Sequence, residues 1–147
     1  IRSQARANPD DDPVQEPYDA PRPPRHDGAT LRIGLTIDCL DPDRLARFWE
    51  RFIGYQRRPV AEGSPYVTVE RPDGLEGPPH ITFQRVPEPK ATKSRAHLDV
   101  FVDHAEPMVT EMIEEGATVV QVTEAGEWTT RVLQDPAGTE FCVIGPD

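Results

Sequence analysis

Two histidines, a cysteine and several carboxylates recur at strand spacing in this chain. Read at every second residue, Gly34, Thr36 and Asp38 fall on one side of an extended run. His80, Thr82 and Gln84 do so in a second, His97 and Asp99 in a third, and Glu140 and Cys142 in a fourth. Between them stand apolar residues of opposite parity, such as Ile33, Leu35, Ile37, Ile81, Phe83, Leu98, Val100, Phe141 and Val143. A sheet built from these runs has one apolar and one polar face. Burying so many polar groups dry would cost roughly 1–3 kcal/mol for each one left unpaired, so the polar face is expected to line a wet or ligand-filled cavity. The plainer alternative is a solvent-exposed sheet face, which antiparallel sheets often have. Within such a cavity, His80 or His97 beside a carboxylate such as Asp99 or Glu140 can move protons; equally, the imidazoles can simply hydrogen-bond there. His26 and His104 fall outside the pattern and read as surface residues. Cys39 has the opposite parity and reads as packing.

Two stretches organise these runs. In Arg95–Asp103 a strictly alternating strand carries His97, Asp99 and Phe101 on one face. Asp103 with Glu106 then has capping-box spacing, Met108, Met112 and Ile113 form a helical stripe, and Gly116 is a stop. The same grammar appears earlier. A strand over 31–40 is followed by Asp41 as N-cap, Pro42 at the first helical position, and the stripe Leu45, Phe48, Trp49 and Phe52 ending at Gly54. After each helix come three short strands: about 55–60, 66–70 and 80–86 in the first half, and 118–122, 129–134 and 140–144 in the second. Turn signals at Pro72-Asp73-Gly74 and Asp135-Pro136-Ala137-Gly138 separate them. The plan is βαβββ twice: module one over 31–87, a linker over 88–94 and module two over 95–145. It predicts an α+β domain with a cupped mixed sheet and helices on its outer face.

Residues 1–30 differ from the rest. They hold six prolines and the run Asp10-Asp11-Asp12, with sparse apolar residues, and read as an extended or disordered arm preceding a domain over 31–147. Pro21-Arg22-Pro23-Pro24-Arg25 is also a candidate docking segment, although a linker is the commoner role of such composition. The net charge of −10, from 26 acidic and 16 basic residues, argues against a nucleic-acid partner; it is compatible with a cationic ligand or simply with solubility. No apolar run approaches the ~20 residues of a membrane span. Two cysteines make no disulfide framework, so a cytoplasmic location is expected.

Taken together, Ile37-Asp-Cys-Leu-Asp-Pro42, Leu45-Ala-Arg-Phe-Trp49, Gly54-Tyr55, Ala96-His-Leu-Asp99 and Asp135-Pro-Ala-Gly-Thr-Glu-Phe-Cys142 resemble the vicinal oxygen chelate superfamily, and more closely its glyoxalase-like domains. The resemblance spans about residues 31–145. In metal-using members of that superfamily, four side chains from the two halves hold one divalent ion, and the substrate offers it two neighbouring oxygens. Carried over motif by motif, those positions fall on Gly34, His80, His97 and Cys142. Gly34 supplies no donor and Cys142 replaces the usual carboxylate, so the set shrinks to His80, His97 and Cys142. Two imidazoles and a thiolate would suit zinc or a similar ion, but with half the usual ligands gone the balance lies with a metal-free cup.

The expected function is therefore binding of a small organic molecule. The first reading is a metal-assisted lyase or isomerase acting on a vicinal-oxygen substrate, with Glu140 and His97 catalytic. Thr36, Asp38, His80, Gln84, His97, Asp99, Trp128 and Cys142 would touch the ligand. The second is non-catalytic ligand sequestration of the bleomycin-resistance kind, with Trp128 as an aromatic edge, although Trp128 could equally plug the core. A third is a regulatory or subunit-interaction role with an empty cup. The resemblance also implies a homodimer, in which modules pair within one chain or between two.

Overall fold

A computed structural model describes residues 34–147; the arm expected over 1–30 lies outside the described residues. Module one begins with β1 (Leu35–Cys39), α1 (Pro42–Ile53) and the short β2 (Gln56–Arg57), and closes with β3 (Tyr66–Glu70) and β4 (His80–Arg85). Module two repeats the order as β5 (Leu98–Phe101), α2 (Ala105–Glu114), β6 (Thr118–Ala125), β7 (Trp128–Gln134) and β8 (Glu140–Gly145). Each module makes its own four-stranded mixed sheet, ordered β1-β4-β3-β2 and β5-β8-β7-β6. The first strand of each pairs in parallel with the last, and the other pairings are antiparallel. The expected α+β plan of two βαβββ modules holds, as two sheets rather than one continuous sheet.

The first helix forms where the sequence signals it. The Asp41 carboxylate accepts a hydrogen bond from the Arg44 backbone N–H at 3.0 Å, Pro42 opens the helix, and Gly54 ends it in the left-handed region at φ 70°. The second helix corrects the sequence reading. It starts at Ala105, so Asp103 and Glu106 do not form the expected capping box; the cap residue is His104, without a side-chain bond. The Ala105 N–H that would otherwise be orphaned donates instead to the Pro146 carbonyl at 2.9 Å. Its buried stripe is Ala105, Val109 and Met112, while Ile113 is 48 % exposed. One residue past Met112, Ile113 has rotated about 100° off the core-facing line. Gly116 follows the helix with positive φ, as expected of its stop.

One core serves both modules. Val67, Val69, Ile81 and Phe83 of the first sheet and Leu133, Phe141 and Val143 of the second are buried with Leu45, Phe48 and Trp49 of α1. Each large side chain sequestered this way contributes ~1.5–3 kcal/mol. Trp49 crosses the module boundary. Its ring meets Phe141 edge-to-face at 5.0 Å between centroids, and its indole Nε1 donates to Asp135 Oδ2 at 3.2 Å. The other Asp135 oxygen accepts the backbone N–H groups of Ala137 and Thr139, both at 3.0 Å, and so builds the turn before β8. Burial pushes the Asp135 pKa up, and these hydrogen bonds oppose the push. The two modules are thus locked together within one chain.

Trp49→Phe keeps most of the apolar packing but strips a donor from the carboxylate of Asp135, a residue only 3 % exposed. The expected result is a loss of about 1–3 kcal/mol in chemical denaturation, with the fold retained. A variant as stable as the parent would show that the indole hydrogen bond carries no weight.

Candidate functional site

The parallel pairing of β5 with β8 sets Asp99 opposite Cys142. His97, two residues before Asp99, shares its side of the chain. Its Nδ1 lies 2.7 Å from Asp99 Oδ1 and 3.8 Å from Cys142 Sγ. Among the described residues, these three form the one group of metal-capable side chains whose donor atoms all lie within 4.8 Å of one another. His80, expected as a ligand beside His97 and Cys142, stands outside the group, and Asp99 takes its place. Both partners of the imidazole use Nδ1. A thiol–imidazole–carboxylate relay would need them on opposite nitrogens, so this is no nucleophilic triad. Instead, Asp99 fixes the Nδ1–H tautomer and leaves Nε2 to accept a proton or a ligand hydrogen bond. The Cys142 thiol, 8 % exposed, is raised in pKa by burial and then by the Asp99 carboxylate, against an opposing pull from Lys93. It stays protonated at neutral pH and is not an activated nucleophile.

Glu140 has a different task from the proton transfer expected of it. Its carboxylate takes Lys90 Nζ at 2.8 Å and the Ser94 backbone N–H at 3.0 Å. The Lys90 hydrogen bond and then the Ser94 amide hold its pKa down at about 2. A carboxylate that weakly basic is a poor proton acceptor near neutrality. It serves as a clasp that ties the linker over 88–94 to the start of β8. In the sequence these residues read only as a linker between the modules; the charge pairing that makes Lys90 and Ser94 part of a wall was not legible.

A cleft of about 920 Å³ lies between β1, this linker, His97 and the turn leading to β8. Thr36 and Asp38 line it from the first module, Lys93 and Ser94 from the linker, and His97 and Glu140 from the second module. The lining mixes charges, with Arg44 and Lys93 alongside Asp38 and Glu88, rather than being uniformly acidic. Asp99 faces a second groove, along β5. His80 and Gln84 lie elsewhere on the first sheet, opposite Glu70 and Tyr66 respectively, with Thr68 and Thr82 hydrogen-bonded at 3.0 Å between them. His80 explains why residue 34 is glycine: a Cβ there would fall inside the His80 imidazole. Trp128 stands at the β6–β7 hairpin, paired with Ala125 and 52 % exposed, so it does not plug the core.

A profile of the glyoxalase-like domain matches residues 34–144. The chain therefore belongs to the glyoxalase-like domain family, within the vicinal oxygen chelate superfamily. A glyoxalase/bleomycin resistance protein/dioxygenase family enzyme from Burkholderia phytofirmans PsJN is similar in structure, with 19 % identity and a TM-score of 0.61 over 78 % of this chain and 97 % of that one. A possible glyoxalase from Bacillus cereus aligns with 18 % identity and a TM-score of 0.58 over 79 % and 99 %. A lactoylglutathione lyase from Agrobacterium tumefaciens does so with 14 % identity and 0.53 over 80 % and 95 %. At such identities the likeness establishes the fold alone. No curated protein matches the chain. Among the described residues, no helix is long and apolar enough to cross a membrane.

The clasp has a signed pH dependence. Because the folded pKa of Glu140 is depressed to about 2, its contribution is full above the unfolded value near 4.5 and disappears as pH falls from there to about 2. Glu140→Gln should lower stability at pH 7 and flatten the thermal-stability profile over that acid interval. A profile parallel to the parent's would remove the clasp from the account. Separately, Gly34→Ala should push the His80 ring aside, seen as a changed imidazole NMR signal; an unchanged signal would contradict the steric reading.

Proposed function

We propose that the chain binds a small organic molecule carrying neighbouring oxygens in the cleft beside His97, and that His97, held by Asp99, is its acid–base group. The observation that carries this reading is the anchored imidazole: Nδ1 is bound to Asp99 at 2.7 Å on a residue that lines the cleft. Such a group can take a proton from carbon next to a carbonyl and return it, the elementary step of an isomerase or lyase. Thr36 and Asp38 on the opposite wall supply hydrogen bonds that orient the ligand, and the clasp at Glu140 keeps the linker wall in place.

The donor set fits a divalent ion in chemical type. An imidazole, a carboxylate and a thiol are zinc ligands, and three of them leave a position for substrate oxygen. If an ion is held there, His97, Asp99 and Cys142 would bind it in place of acting as the acid–base pair, and it would supply Lewis-acid polarisation of a carbonyl oxygen. Cys142 would have to give up the proton that burial and Asp99 now favour, so retention of the ion would weaken steeply with acid.

Sequestration is the second reading. It is favoured by the commitment of Glu140 to Lys90 and Ser94, which leaves the cleft one proton carrier fewer. A homodimer remains part of the proposal on family grounds, although the Trp49–Asp135 lock means that a second copy is not needed to hold the modules together.

The deciding measurement is thermal stabilisation by a panel of 2-oxo and 2-hydroxy carbonyl compounds, including lactoylglutathione, on parent protein and His97→Ala. Ligands that raise the parent melting temperature should lose at least about 90 % of their affinity in the variant, a cost of ~1.4 kcal/mol or more. Equal responses would remove His97 from the site. Turnover of a stabilising ligand would separate catalysis from sequestration. Elemental analysis of untagged protein, repeated on Cys142→Ala, would decide the ion.

A further inference from the structure

Along β5 the polar wall of the cleft passes into an apolar one. His97 lines the cleft, Leu98 lines both the cleft and a groove of about 550 Å³, and Asp99 lines the groove. His97 Nδ1 and Asp99 Oδ1 are 2.7 Å apart, so at this point a single hydrogen bond separates one cavity from the other. Pro78, in the loop before β4, also lines both. The buried Tyr55 holds that loop, its hydroxyl donating to the Pro78 carbonyl at 2.8 Å. A Cβ at Gly77 would lie 2.7 Å from the same hydroxyl, so the loop passes the phenol too closely for a side chain there.

The two cavities differ in chemistry. The cleft carries ionisable groups on each of its walls, among them Asp38, Lys93, His97 and Glu140. Among the described residues, Glu76 and Asp99 are the only charged side chains of the groove, and Asp99 is already bound to His97. Most of the remaining wall is apolar, including Leu75, Val100, Phe101 and Met108. Phe101 is 68 % exposed, more than any other large apolar residue described. Alternation puts its ring on the side of His97 and Asp99, roughly 13 Å beyond His97 along the chain. A polar site that continues into an apolar groove ending at an exposed ring suits a ligand of both characters.

From this we infer that the ligand is amphiphilic: a compact oxygen-bearing head seated at His97, and an aryl or medium-length alkyl tail laid past Leu98 into the groove, with Phe101 at its far end. This rests on the cleft being the site of the head group. Space permits the tail, since an apolar cavity of roughly 150 Å³ already accepts a benzene ring and the groove is larger. The distance from His97 to Phe101 corresponds to an extended chain of about ten carbons. Two separate ligands would have to compete for the one His97–Asp99 pair, whereas a single molecule uses both sides of it.

The test is a calorimetric titration with neutral 1-hydroxy-2-alkanones, from hydroxyacetone to the ten-carbon member, in which the head is constant and the tail grows. The matching 2-alkanones lack the second oxygen. On the parent protein, each added methylene should raise affinity about twofold or more until the groove is filled. Phe101→Ser and, separately, Leu75→Ser change exposed side chains of the groove and should flatten that slope. His97→Ala should lower affinity for every member and leave the slope as it is. Affinity independent of tail length, or a slope unaltered in both groove variants, would overturn the inference and leave the proposed function standing. So would a change in oligomeric state on sedimentation of Phe101→Ser, which would assign the groove to a second copy. If 2-alkanones bind as tightly as their hydroxyketones, and His97→Ala binds both as the parent does, the head has no seat at His97 and the proposed function falls together with the inference.

Discussion

The hydrogen bond from Trp49 to Asp135 is the constraint on which the rest depends. Its two ends lie 86 residues apart, one in the helix stripe of module one and the other in the turn before the last strand of module two. Asp135 also builds that turn through Ala137 and Thr139, so one buried carboxylate sets both the module interface and the direction in which β8 begins. β8 carries Glu140, Phe141 and Cys142: the clasp, the ring against Trp49 and the thiol of the candidate site. A displacement at the indole would therefore be felt at the cleft through six residues of chain rather than through a long pathway. The desolvation that raises the Asp135 pKa is the energetic cost of concentrating so much structural information at one buried site.

Much of the fold was legible because its signals are local. Pro42, the α1 stripe, Gly54 and the alternating runs each specify an element within a few residues, and the structure carries them with small shifts at the ends. The α2 start was misjudged because its cap comes from Pro146, some forty residues downstream, which no capping pattern contains. The site was legible in part for the same reason. Parity put His97, Asp99 and Cys142 on one side, and strand pairing brought them together. Parity also grouped His80 with them, but it reports which face a residue takes, not which sheet. Two separate sheets divide what a single cupped sheet would have joined.

Gly34 and Glu140 show how a departure from a family pattern can have a structural meaning. The glycine just before β1 leaves room for the His80 ring on β4. Glu140 keeps the alternation with Cys142, but it is a plain cleft carboxylate only in name: its oxygens are already occupied by Lys90 and Ser94. Residue type alone suggested acid–base work, while the partners assign it to holding the linker.

The cluster of His97, Asp99 and Cys142 lies wholly in the second repeat. A duplicated architecture in which one copy bears the reactive groups and its sibling serves as a wall has unequal freedom to vary. In the proposed reading, positions 97, 99 and 142 answer to chemistry and packing together, whereas the first copy contributes wall residues such as Thr36 and Asp38. Sequence drift among descendants of such a chain should be lopsided, with the first copy free to reshape the pocket's contour and hence its choice of guest.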